Sequence, residues 1–170
     1  MSAQGAFRQR LAWMPERGEL RDGEARYVLI RHDSLMGMFR NLSEPARSAA
    51  LEALASSVAV HGARSAERYR VAGGGGDALL ATIQATAPQL GWGVWRLERA
   101  GEELRLEVTN SPFAAGHGPS SGPVCAPIAG MLQAVASLVL GGPVQAREEA
   151  CAAAGAPACR FRAAPRGEPE

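Results

Sequence analysis

An α+β fold is predicted for this chain of 170 residues, and three observations predict it. Apolar residues recur at helical spacing through residues 33–90 and again through 124–140. The period changes from 3.6 to 2 over Trp92–Glu98 and Leu104–Thr109, around a turn at Gly101-Glu102. Two more short runs, Val144–Glu149 and Ala158–Arg162, read as strands. Helices that precede and flank antiparallel strands define the class: a small antiparallel sheet packed with helices.

Taken in order, residues 1–25 form a mixed N-terminal segment with a short hairpin expected near Gly18. Arg26–Arg31 is β-rich and reads as a strand. Leu35, Met38, Phe39 and Leu42 sit at i, i+3, i+4, i+7, which predicts a helix capped by Asp33. Ser43 is placed to cap a second helix with Pro45 in its first turn. Leu51, Leu54 and Val58 form its stripe, and it reaches Tyr69. Gly73–Gly76 reads as a flexible joint without the Lys-Ser/Thr of a phosphate loop. Asp77 caps a third helix with Leu80, Ile83 and Ala87 inward, stopped near Gly91. Residues 115–123 read as a Gly/Ser/Pro loop with His117 exposed. A fourth helix spans Val124 to Leu140, and Gly141-Gly-Pro143 stops it. The reading is one domain over 26–164 with a disordered polar tail at 165–170.

Composition excludes several function classes. Lys+Arg number 18 and Asp+Glu 17, so the formal charge is +1. That leaves no field to recruit nucleic acid or an anionic membrane surface. The most apolar stretch, Val124–Val144, is broken by prolines and glycines, so no membrane span is expected. Arg8, Arg10, Glu16 and Arg17 interrupt the N-terminal stretch, which has no apolar core, and this argues against a signal peptide. The expected compartment is the cytoplasm, where disulfides are rare.

Three cysteines then need another account. Cys125, Cys151 and Cys159 all lie in the last third, each beside a turn signal. Glu148 and Glu149 precede Cys151, and strand alternation points only one of them the same way as the thiols. Three thiolates and a carboxylate suit Zn²⁺. Three buried free thiols satisfy the same spacing.

The segments Asn110-Ser-Pro-Phe-Ala, Gly122-Pro-Val-Cys-Ala-Pro-Ile-Ala-Gly130, Val144–Cys151 and Gly155–Phe161 resemble the 4-vinyl-reductase domain. That family includes the bacteriochlorophyll-synthesis protein J, the sensor domains of phenol- and toluene-responsive activators, and stand-alone proteins called hydrocarbon-binding. Arg31–Gly37 and Gly91-Trp-Gly93 follow more weakly. The resemblance implies a structural zinc held by Cys125, Glu148, Cys151 and Cys159, and so selects Glu148. It also implies a fold similar to TRAPP-subunit and haem-NO-sensor ligand domains, and a homodimer.

For a ligand, the resemblance points to a His and a Trp that hold a phenol hydroxyl. His61 with Trp92 or Trp95 is the candidate set. Alternation places the two tryptophans on opposite faces of one strand. The phenol sensors carry a bulky aromatic two residues before the ligand glutamate, where this chain has Ala146, which leaves room for a larger ligand than phenol. A binding domain for a hydrophobic small molecule is the leading expectation. An accessory protein or enzyme of tetrapyrrole synthesis is the second, although no nicotinamide or flavin motif is present. A TRAPP-like assembly protein is the third.

Overall fold

A computed structural model of the chain describes residues 7–73 and 75–166. It has the predicted α+β class, with two antiparallel sheets instead of one. The first is small. After a single turn α1 (Phe7–Arg10) come β1 (Ala12–Met14), β2 (Glu19–Asp22) and β3 (Ala25–Tyr27), in the order β1-β2-β3. The predicted hairpin at Gly18 is its first turn, and Gly18 supplies a left-handed φ of 61° that a side chain would resist.

The second sheet runs β4-β5-β7-β6, from β4 (Val94–Ala100), β5 (Glu103–Thr109), β6 (Val144–Ala150) and β7 (Cys159–Pro165). Its inner face buries Trp95, Leu104, Leu106, Val108, Phe161 and Ala163. Arg105, Glu107 and Arg160, the neighbours in sequence, face outward. This is the period-2 pattern of a sheet wet on one side. Against the inner face lie α4 (Gly76–Thr86) and α6 (Ala126–Leu140), and α3 (Ala46–Gly73) packs on α6. Ile128, Leu132 and Val135 of α6 are fully buried, each worth about 1.5–3 kcal/mol of transfer free energy. The α3–α6 crossing is close because Gly130 has no side chain. A Cβ there would stand 2.2 Å from the carbonyl oxygen of Ala55. Among the described residues no helix is long and apolar enough to cross a membrane.

Several expectations are corrected. The strand expected over 26–31 ends at Tyr27, where β2 runs out of partners. Val28, Leu29 and Ile30 continue as an unpaired strap, 82%, 76% and 58% exposed. It leads into α2 (His32–Arg40), whose buried residues are Met36 and Phe39, while Met38 is 54% exposed. Asp33 lies inside the first turn of α2, accepts from the Ser34 N–H and pairs with Arg31, so it is not the cap. Glu44, not the Ser43 hydroxyl, accepts the Ser48 N–H at the start of α3. Gly75, not Asp77, is the N-cap of α4.

The expected loop at 115–123 is partly helical. A short α5 (Pro112–His117) starts at Ser111, whose side chain accepts the Ala114 N–H. His117 is 2% exposed instead of solvated. The cause is the tight α2–α5 contact: a Cβ on Gly116 would come 2.4 Å from the carbonyl oxygen of His32. At the chain ends, Pro165 belongs to β7 and the Arg166 N–H donates to the Pro143 carbonyl. Residues 1–6, Gly74 and 167–170 lie outside the described residues, and so does most of the tail that the sequence reads as disordered.

Candidate functional site

Three turns and a bulge gather the cysteines. Cys125 is the residue that caps α6, Cys151 ends the chain's exit from β6, and Cys159 opens β7. On β6, Val144, Ala146 and Glu148 face inward while Gln145, Arg147 and Glu149 face out. Glu149 is tied to Arg147 at 3.1 Å. A bulge between Glu148 and Ala150 then adds one residue and turns Cys151 toward the thiols. The four ligand atoms of Cys125, Glu148, Cys151 and Cys159 all lie within 4.8 Å of one another. These four are placed to hold a metal ion.

The donor set fits a tetrahedral ion. Cys125 Sγ lies 3.9 Å from Cys151 Sγ and 3.6 Å from Cys159 Sγ. Bonds of about 2.3 Å to a tetrahedral centre would hold sulfurs about 3.8 Å apart. Glu148 Oε2 accepts the Cys125 N–H at 2.8 Å, while Oε1 is buried with no partner among the described residues. An unpartnered buried carboxylate oxygen is costly, and an ion in the cluster would satisfy it. Two further groups hold the sulfurs: the Ser111 hydroxyl lies 3.3 Å from Cys125 Sγ, and the Ala152 N–H donates to Cys159 Sγ at 3.3 Å.

Without a cation the four acids cannot all ionise. Burial, and then Cys151, push the Glu148 carboxyl up to about 8. Hydrogen bonds to Cys151 and Cys159, with burial, push the Cys125 thiol far above its usual value. The Cys159 thiol goes the other way, down to about 4, because Cys125, Cys151 and the Ala152 N–H all stabilise its thiolate. The cluster thus keeps one thiolate and holds protons at Cys125 and Glu148.

The ligand candidates converge elsewhere. A cavity of about 720 Å³ lies between the small sheet with its strap, α3, and the segment from α4 to β4. His61, Trp92 and Trp95 all line it. The expectation that the tryptophans take opposite faces is corrected. Gly91 and Gly93 have φ of 76° and 85°, so Trp92 sits in a turn before β4 and alternation does not reach it. Trp92 packs edge-on against Phe113 with centroids 5.1 Å apart. Trp95 spends its indole N–H on the Trp92 carbonyl at 3.0 Å and offers the cavity an apolar wall. Ala146 does not line the cavity. It sits on β6, its N–H bonded to Gln133 of α6, so it does not set the cavity's size.

Sequence reasoning missed the residues that close the far end. The Arg10 guanidinium lies over the rings of Phe7 and Tyr69, at 5.7 and 5.3 Å. It also donates to Tyr69 Oη at 2.8 Å and to Asp22 at 3.2 Å. This latch fastens the small sheet to α3. Ser111 was also missed, although Ser-Pro at a helix start is a readable cap signal.

Comparison with known proteins agrees with this geometry. The profile of the vinyl-4-reductase domain matches residues 104–165, the stretch that contains the whole cysteine cluster. A bacteriochlorophyll synthase 23 kDa chain of Cereibacter sphaeroides is 38% identical over 68 residues. That match takes in 40% of this chain and 32% of the synthase chain, so the chain spans about a third of that relative's length. Among solved structures, the phenol-responsive sensory domain of the transcription activator PoxR, crystallised with phenol, superposes with a TM-score of 0.80. It is 20% identical, and the match covers 93% of this chain and 86% of that one. A trafficking protein particle complex subunit 3 from Naegleria fowleri, covalently bound to palmitic acid, gives a TM-score of 0.57 at 13% identity, covering 80% and 95%. A vinyl-4-reductase family protein from Methanocaldococcus jannaschii gives 0.55 at 12%, covering 83% and 98%. The resemblance read from the sequence is thereby borne out, and the fold is shared with the PoxR sensory domain and the trafficking subunit.

Proposed function

We propose that the chain binds a hydrophobic small molecule, in a sensory or carrier role, and that Cys125, Glu148, Cys151 and Cys159 hold a structural Zn²⁺. The cavity carries this reading. It falls in the size range of small-molecule sites, roughly 300–1,000 Å³, and aromatic rings wall it where His61 and the free indole of Trp92 enter. Liquid water takes about 30 Å³ per molecule, so about 720 Å³ admits roughly two dozen atoms of that size. Phenol, the ligand of the PoxR structure, would leave most of it empty. The zinc site would supply a closed set of four protein ligands, which suits a staple between α6 and the closing strands more than a catalytic centre.

The match to a bacteriochlorophyll synthase chain favours a second reading, an accessory role in tetrapyrrole synthesis. A macrocycle of about 40 non-hydrogen atoms exceeds the enclosed space, so it would have to protrude past the strap. A homodimer is part of the first reading. Strap residues Val28, Leu29 and Ile30 supply exposed apolar surface at the cavity mouth, which self-association would cover.

Thermal denaturation with a panel of aromatics and medium-chain lipids tests the reading. A ligand at about one hundred times its dissociation constant should add about 2.7 kcal/mol of stability and raise the melting temperature by several degrees. No shift with any apolar compound, but saturable binding of a porphyrin, would favour the second reading.

A further inference from the structure

The charged groups that face the cavity share one sign. Arg26, Arg31, His32 and His61 line it, and among the described residues no aspartate or glutamate does. In a chain with 18 basic and 17 acidic residues, that separation is local. Arginines hold the nearby carboxylates outside the cavity: Asp22 by Arg10 at 3.2 Å, Glu19 by Arg21 at 2.7 Å, Asp33 by Arg31 at 2.5 Å.

Two rim groups are not committed in this way. Arg26 lies 3.9 Å from Glu19, whose closer partner is Arg21, and reaches the Gly18 carbonyl at 3.4 Å. Its side chain is 59% exposed. His61 is exposed on α3 and has no hydrogen-bond partner among the described residues. The interior behind them is aromatic and aliphatic. Its other polar side chains are mostly occupied: Thr86 Oγ1 donates to the Thr82 carbonyl, Tyr69 Oη accepts from Arg10, and Gln89 is bonded to Arg8 and to the Ala85 carbonyl.

We infer that the ligand is an amphiphile: an apolar body with a carboxylate head. The inference rests on the small-molecule reading and names the class of molecule that the site takes. The body fills the chamber against Trp92, Trp95 and Phe113. The carboxylate stays at the wet rim, where Arg26 offers a planar fork and His61 a ring N–H. Deeper placement would strip the anion of water without a partner. A neutral head gains nothing from this arrangement.

Calorimetric titration of the purified chain with decanoate and with 1-decanol, at neutral pH and low ionic strength, tests it. An apolar cavity without a cationic rim prefers the alcohol, because the acid costs more to desolvate. Here decanoate should bind tighter, by roughly three- to tenfold for exposed charge contacts. The margin should shrink in about 0.5 M salt. Arg26→Gln with His61→Gln should remove the preference and leave decanol binding unchanged; both side chains are exposed, so the fold is not at risk. Equal or tighter binding of decanol to the unmodified chain would overturn the carboxylate inference alone. So would a preference that survives both substitutions. Binding of neither compound would overturn the small-molecule reading together with it.

Discussion

Cys125 does three jobs with one residue. It caps α6, its N–H holds Glu148 Oε2, and its sulfur stands between the other two. Cys125→Ser should therefore abolish stoichiometric zinc and lower the melting temperature by about 10 °C or more, as expected when a metal-linked cross-connection is lost. Metal analysis with thermal melts checks this; full zinc occupancy in the variant would remove Cys125 from the site. The protons on the cluster give a second test. With Glu148 raised to about 8 and Cys125 higher still, both hold protons at pH 7. Zinc needs both groups deprotonated, so uptake should release about two protons or more per ion, and affinity should fall as pH falls. An indicator dye in weakly buffered solution reads the release. Uptake without proton release would contradict the charge arrangement. Much of the cluster was legible in the order of residues. Alternation separated Glu148 from Glu149 but could not choose between them, because the bulge that turns Cys151 depends on pairing with β7. Trp92 escaped for a similar reason: two glycines of positive φ end the alternation on which its placement relied.

Elements were legible where packing follows periodicity. The helices at 46–73, 76–86 and 126–140, and the strands at 94–100 and 103–109, follow their apolar spacing. The strap was misread because Val28-Leu29-Ile30 has strand propensity but no neighbour to pair with. The helix α5 was missed because its composition resembles a loop and its stability comes from burial against α2. Close approach between α3 and α6 was not readable either; only the three-dimensional contact shows that Gly130 faces the Ala55 carbonyl. Gly130→Ala should cost about 1–3 kcal/mol in chemical denaturation, more than the small gain that alanine brings to a helix interior. A neutral effect would mean that the two helices are farther apart than described. The small sheet behaves as a cover over the cavity, held by the Arg10 latch to Asp22 and Tyr69. Ligand should slow amide exchange in residues 25–31, and Arg10→Ala should speed ligand release. Protection confined to β5–β7 would place the ligand elsewhere.

For the whole molecule, the metal cluster and the cavity are separate constructions. The cluster ties α6 to β6 and β7, while the cavity lies on the α3 and small-sheet side. The two meet through α6, where Met131 lines the cavity and Cys125 starts the helix. Zinc removal should therefore weaken ligand binding only through loss of fold, and metal-loaded variants of the cavity should keep full zinc. The exposed strap predicts self-association. Light scattering should report a dimer, and Leu29→Asp should shift it toward monomer; a monomer at all concentrations would leave the strap to the ligand alone. The small-molecule reading stands on the chamber bounded by His61, Trp92 and Trp95. Its most direct test is a crystal structure of the chain with the tightest apolar ligand from the thermal panel. The account predicts the ligand in that chamber, its body against Trp92 and Trp95. A bound ligand outside it, with the chamber empty, would contradict the account.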